Sequence, residues 1–247
     1  MTTTTPRKAV EELQKQPLLV HGDDERFTGY GVMGLPFTSG HHLGLRDMVA
    51  TSIGPAYRSI WLRDPDERWA IHATGPADVT CPRYFGAVAA WAYAPAVDVA
   101  WEGDHCLVVT AGDWLNWRIE LAETPATWVM TGMGGTLPEA AWNSNAVLAG
   151  MGPLARTMLR TGRIRLCGST PNGQHFRVAP LKVWRVVGST ATLRGVDLGA
   201  PAPLPEQVSL GDFWLPQRGL FFVGHARFST GADDDVHPIP SSATMEA

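Results

Sequence analysis

Between Arg163 and Leu198 the chain reads RIRLCGSTPNGQHFRVAPLKVWRVVGSTATLRGVDL, a stretch that points to an antiparallel sheet. Ile164 and Leu166 alternate with Arg163, Arg165 and Cys167, the two-residue period of a strand with one dry face and one wetter face. Pro171-Asn172-Gly173 then turns the chain, because Asn and Gly accept the positive φ that tight hairpin turns require. A long strand is predicted from Gln174 to Val187. Pro180 must sit at a bulge or on an unpaired edge within it, since proline has no backbone donor and the alternation changes phase there. Gly188-Ser189 reads as the next turn, and Thr190 to Val196 as the returning strand.

The same grammar recurs upstream. Tyr57 to Arg63 and Arg68 to Ala73 form a hairpin across Asp64-Pro65-Asp66-Glu67, and Val97 to Leu121 reads as a three-stranded meander with turns at Glu102-Gly103-Asp104 and Gly112-Asp113. In its last strand Leu115, Trp117, Ile119 and Leu121 face one way, and Trp114, Asn116, Arg118 and Glu120 the other. From Phe27 to Thr51, Gly29, Gly31, Gly34, Gly40 and Gly44 interrupt β-favouring residues, which marks bent strands or close approach of a ligand. A short strand is predicted over Ala126 to Thr131. Helical sequence follows from Thr136, placed to cap, to about Thr161, with breaks at Pro153 and Gly162. A last strand runs from Gly219 to Phe228. The predicted fold is thus α+β and mainly antiparallel β: a single barrel or cone with a helical insertion at about 136–161. A lipocalin-like barrel is the alternative. The domain spans 21–228, between a flexible N-terminal tail, 1–20, with one short helix after Pro6, and a disordered tail, 229–247.

At 247 residues, 45% of them hydrophobic and ten of them tryptophan, the chain has material for one sizeable core. Its net charge of −4 and lack of a basic block remove the electrostatic footprint of a nucleic-acid binder. No apolar run is long enough to span a bilayer or act as a secretory leader. Three widely spaced cysteines, Cys81, Cys106 and Cys167, suit buried thiols in a reducing, cytoplasmic protein better than disulfides or zinc. No P-loop, dinucleotide fingerprint, nucleophile elbow or zinc-protease motif occurs, so the expected chemistry is independent of a cofactor.

Polar residues at strand positions supply the candidates. Asn116, Arg118 and Glu120 share one strand face. If that face lined a barrel, burial would raise the Glu120 carboxyl toward the range useful for proton transfer. His225 and Arg227 lie in a last strand with aromatics on both faces, where buried polar groups need partners. Arg83 and Tyr84 in CPRYFG, His72 and Arg46 complete the set. His41-His42 looks like a metal handle, but neighbours in a strand point to opposite faces and no second ligand pair follows. No metal site is predicted.

The order from Pro171 onward, an Asn-Gly turn, KVWRV, TLRGVDL, the loop APAPLPEQ, DFWLP and a final strand, resembles the C-terminal part of acetoacetate decarboxylase-like proteins. DVTCPRYFGA resembles the family's arginine-containing entry to its active-site region. The resemblance implies an antiparallel β-cone with a hydrophobic cavity, usually in an oligomer. It also implies a Schiff-base lysine, and here the sequence departs: its lysines are Lys8, Lys15 and Lys182, none in the segment after Tyr84. The expected function is therefore a lyase-, isomerase- or decarboxylase-like enzyme acting on a small hydrophobic or aromatic molecule in the barrel cavity. Glu120 or His225 is its acid or base and Arg118 its electrostatic partner, with Arg83, Tyr84, Arg227, Asn116, His72 and Arg46 around the substrate. The alternative is a carrier or sensor of a hydrophobic metabolite, possible as a homo-oligomer.

Overall fold

The computed structural model describes residues 4–230; the acidic tail predicted to be disordered lies, beyond Thr230, outside the described residues. In chain order the elements are α1 (Pro6–Lys15), β1 (Glu25–Pro36), β2 (His42–Thr51), β3 (Tyr57–Arg63), β4 (Trp69–Ala73), α2 (Pro82–Phe85), β5 (Ala90–Tyr93), β6 (Asp98–Trp101), β7 (Cys106–Ala111) and β8 (Leu115–Ala122). There follow α3 (Pro125–Thr136), α4 (Glu139–Trp142), α5 (Asn145–Leu159), β9 (Cys167–Ser169), β10 (His175–Leu193), β11 (Val196–Asp197), β12 (Ser209–Leu210), β13 (Phe213–Trp214) and β14 (Leu220–Ser229). The fold is mainly antiparallel β with a short helical insertion, as the alternation predicts.

The last strand joins the two halves. β14 pairs antiparallel with β1 on one side and β10 on the other, giving the order β5-β4-β3-β2-β1-β14-β10-β8-β7-β6. This sheet curls until its two wings share one core: Leu45 and Ile60 from one wing pack in the same cluster as Leu107, Val109, Trp117 and Ile119 from the other, with Val32, Trp184 and Phe221 between them. All nine are at most 2% exposed. The inside of the curl is therefore filled. α1 helps fill it: Thr5 caps its N-terminus, and Ala9 and Val10 lie buried in this core, so the short helix expected after Pro6 is docked at those residues.

Two further apolar layers cover the outside of the curl. The helices pack Met130, Leu148, Met151, Ala155 and Leu159 against Ala179, Val183 and Leu220 of β10 and β14. On the other flank, Met33, Met48, Trp61 and Ile71 of β1 to β4 meet Tyr84 and Phe85 of α2 and Phe213 of β13.

Local expectations are corrected, the first being the strand expected through Ile164 and Leu166, since β9 starts only at Cys167. Ala126 to Thr131 is helix, because Thr124 and Thr127 form a reciprocal capping box ahead of Pro125 in the first turn; α3 then ends at Thr136, where a helix start was expected. Pro153 does not divide the helix that contains it, since α5 runs from Asn145 to Leu159 around it. Gly188-Ser189 is not a turn. β10 continues through it with a register shift opposite β8, and the chain reverses at Arg194-Gly195, where φ is 51° and 78°, the paired positive values that match the twist of a two-residue hairpin. The shift expected at Pro180 is present, between Pro180 and Lys182.

Candidate active site

The filled core dictates which strand face of β8 is wet. Leu115, Trp117, Ile119 and Leu121 take the interior, which turns Asn116, Arg118 and Glu120 outward. Arg118 pairs there with Glu102 and with Glu120 at 3.4 Å, in side chains 39%, 60% and 53% exposed. The expectation that this face lines a cavity is thus corrected: alternation separates two faces, and the bulkier apolar set won the inside. His72 is also remote, half-buried with its ring 4.5 Å from that of Trp114.

A cavity of about 50 Å³ lies instead in the flanking layer. Its walls are almost wholly apolar, with Phe27, Trp61, Tyr84, Phe213, Phe222 and Phe228 prominent. Gly29 and Gly224 face each other across the β1–β14 pair and both border it. A Cβ on Gly29 would sit 2.3 Å from the Asp47 carbonyl oxygen, and one on Gly224 2.1 Å from that of Ala179. These glycines allow the strands to approach and keep side chains out of the floor.

Arg46, Tyr57 and Cys81 bring polar atoms into this greasy wall. Arg46 is 3% exposed. Its neighbour Asp47 points to the opposite face, accepting from Tyr30 at 2.6 Å and from Arg58 at 2.7 Å, so the two adjacent residues do not pair. Arg46 Nη1 donates to the carbonyls of Val32 (2.6 Å) and Leu45 (2.8 Å), and Nη2 to that of Met33 (3.1 Å). A guanidinium has five N–H groups. Nε–H and one Nη2–H thus have no acceptor among the described residues, and no carboxylate there pairs with Arg46. Its guanidinium carbon lies 4.9 Å from the ring centre of Trp61 and 5.5 Å from that of Phe222. Burial pulls its pKa down to about 10, so it remains charged at neutral pH.

Tyr57 hydroxyl and Cys81 Sγ are 3.1 Å apart, and burial first, then the thiol, pushes the phenol well above its ordinary range. Trp61 Nε1–H donates to Ser59 Oγ at 3.3 Å, and Ser59 O–H donates on to Cys81 Sγ at 3.7 Å, a long contact. Tyr84 forms another wall, stacked on Phe228 with ring centres 3.7 Å apart. Its hydroxyl donates to Glu25 at 2.5 Å, and Arg83 (2.6 Å) and Gln174 (3.2 Å) donate to the same carboxylate. Burial raises the Glu25 pKa, but these hydrogen bonds and the Arg83 charge outweigh it and hold the carboxyl below its usual value.

His225 borders this cavity and also a second, of about 200 Å³, shared with Arg227, Glu139, Trp142 and Arg177. Thr28 donates its hydroxyl hydrogen to the Leu18 carbonyl (2.7 Å), so at 2.9 Å His225 Nδ1–H is the donor to Thr28 Oγ1 and Nε2 keeps its lone pair. Burial and then Arg227 lower the His225 pKa, leaving a neutral imidazole at pH 7. Arg227 itself is held by Glu139 at 2.8 Å.

Of the nine residues singled out in the sequence, the structure brings Arg46, Tyr84 and His225 together around one cavity, with Arg83 behind Tyr84 and Arg227 beside His225. Reading the sequence missed Tyr57 and Cys81. The only signal was strand parity: Tyr57 shares a face of β3 with Ser59 and Trp61, and Cys81 sits beside Pro82, where no periodicity applies. Of the suspected metal handle, His42 is 1% exposed, with Nδ1 unpartnered among the described residues and Nε2 3.4 Å from the Pro216 carbonyl oxygen. Among the described residues no group of three or more His, Cys, Asp or Glu is placed to hold a metal ion, and no helix is long and apolar enough to cross a membrane.

No protein-family model and no curated protein matches the chain. Two solved structures of acetoacetate decarboxylase align with the chain. The structure of that enzyme from Legionella pneumophila subsp. pneumophila str. Philadelphia 1 aligns over 85% of this chain and 86% of its own, at 9% identity and a TM-score of 0.38. A second acetoacetate decarboxylase structure aligns over 87% and 89%, at 8% identity and a TM-score of 0.37. None of Lys8, Lys15 and Lys182 borders the cavity; Lys182 pairs with Glu12 at 3.3 Å.

Proposed function

We propose that the chain binds a compact organic acid in the Arg46 cavity, its carboxylate on Nε–H and Nη2–H of Arg46 and its carbon frame among the aromatic walls. One observation carries the reading: a fully buried guanidinium with donors to spare, no counter-ion among the described residues, and an apolar hollow beside it. A buried cation with neither water nor a partner is costly. The carbonyls of Val32, Leu45 and Met33 offset part of that cost, and a bidentate carboxylate completes it with the strongest pairing available to arginine. By the usual measure of water-sized space, the cavity has room for roughly three to five small groups. This favours short acids over larger aromatic ligands.

The catalytic version is a cofactor-independent enzyme of the lyase or isomerase kind. It is supported by a proton donor, Tyr57, beside Cys81, and by a neutral imidazole with a free lone pair, His225, on the same wall. The carrier or sensor reading is supported by the cavity's small size and near-complete lack of other polar atoms. The cytoplasmic placement is supported by the free thiols of Cys81, Cys106 and Cys167.

Calorimetry with acetate, propionate and pyruvate, each beside its amide, tests the binding reading. The acids bind and the amides do not. Arg46→Gln weakens the acids by about 10- to 150-fold, the worth of a hydrogen bond to a charged group. Acids and amides of equal affinity sink the reading. Acid recovered unchanged after long incubation, with affinity unaltered in Tyr57→Phe and His225→Ala, favours the carrier over the enzyme.

A further inference from the structure

We propose that Cys81 is a nucleophile that captures a short 2-oxo acid in this cavity as a reversible hemithioketal, with Arg46 holding the carboxylate and Tyr57 handling the proton. The inference rests on the carboxylate reading above and adds the identity of the substrate class.

Cys81 is 6% exposed and borders the same cavity as Arg46 and Tyr57. Its sulfur stands in a built arrangement. Ser59, which accepts from Trp61, donates to Sγ at 3.7 Å, the Tyr57 hydroxyl lies 3.1 Å away, and the Arg46 guanidinium borders the same small cavity. Hydrogen-bond donors and a cation around one sulfur stabilise negative charge that develops as it attacks. The chain's other cysteines also lie near arginines, Cys106 near Arg118 and Cys167 near Arg165 and Arg177, but they are turned away from the cavity. Cys106 faces Glu102 at 4.0 Å, Cys167 lies 3.8 Å from the Asn145 carbonyl oxygen, and neither borders the cavity.

Volume selects the substrate. In about 50 Å³ a carboxylate seated on Arg46 and an electrophilic carbon beside Cys81 cannot be separated by a long frame, so the electrophile is the carbon next to the carboxylate. That is a 2-oxo acid. The step balances without oxidant, reductant or leaving group. A bond forms between sulfur and the carbonyl carbon, and the π pair of the carbonyl moves to its oxygen. That oxygen takes the Tyr57 proton, and the thiol proton passes to the Tyr57 oxygen, restoring the phenol. The net change is addition of S–H across C=O.

Calorimetry of the full chain with pyruvate and propionate, which differ in the carbonyl alone, tests this. Wild type binds pyruvate at least tenfold tighter than propionate, and Cys81→Ser brings the ratio to about one. Peptide mapping after alkylation supplies an independent readout. Iodoacetate labels Cys81 faster than neutral iodoacetamide, and pyruvate slows labelling of Cys81 alone. An unchanged pyruvate preference in Cys81→Ser, or a Cys81 that prefers iodoacetamide, overturns the inference while propionate binding leaves the Arg46 reading standing. If neither acid binds wild type, both fall. Should Cys81→Ser not fold by near-ultraviolet circular dichroism, the wild-type acid ratio and the alkylation order decide.

Discussion

At the scale of single residues, the arrangement depends on side chains whose chemistry is set by what surrounds them. His42 is wholly buried, and burial drives its pKa down to about 3 against the partial help of the Pro216 carbonyl. Its imidazole is expected to stay neutral when free histidine would be charged, and a histidine-detected NMR titration should show no protonation of His42 until the pH approaches 3. Gly224 is expected to be as intolerant. An added Cβ meets the Ala179 carbonyl oxygen at 2.1 Å, so Gly224→Ala must move backbone and costs about 1–3 kcal/mol, as overpacked sites do, read as a lower urea midpoint. Neither effect is visible in the sequence, where His42 is half of a suspected metal handle and Gly224 one glycine in an apolar strand. Arg46 was legible as a substrate contact. That its donors go to carbonyls instead of Asp47 was not, because strand parity separates the neighbours while the register of β1 against β2 supplies the acceptors.

At the scale of elements, caps and latches carry the energetics. Thr124→Ala removes half of the capping box of α3, and about 1 kcal/mol of stability is expected to go with it. Loss of far less than half that value would show that packing against β10 alone holds the helix. The capping box was present in the sequence as Thr124-Pro125-Ala126-Thr127; the run of Thr127, Trp128 and Val129 has the β propensity that masked it. Glu25 ties β1 to α2 and to the turn before β10 through Arg83, Tyr84 and Gln174. Because its carboxyl is held below the ordinary 4.5, the contribution is complete above that pH and is lost as pH falls through the depressed folded value. Aromatic near-ultraviolet circular dichroism should report loosening of Tyr84 in that acid window. Glu25→Gln should remove the pH dependence, and persistence of the same transition in that variant would place the latch elsewhere.

At the scale of the whole molecule, the histidines give the fold an acid limit. Burial, the first cause at each, lowers the pKa of His41, His42, His72 and His225. As pH falls below 6.5 the unfolded chain takes up protons that the folded chain refuses, so stability declines from there toward about pH 3. Urea midpoints measured stepwise through this range should fall; a flat profile would mean these rings are solvated. The β6–β8 meander, the hairpin of β3 and β4 and the last strand were determined by the sequence alone, because turn chemistry and two-residue alternation act over a few neighbours. Which face is inside, how far the sheet curls, and which thiol and phenol meet Arg46 were decided only by the tertiary structure. Alternation is symmetric between the two faces of a strand, and the symmetry breaks when Leu45 and Ile60 of one wing pack against Leu107 and Trp117 of the other, residues dozens of positions apart in the chain.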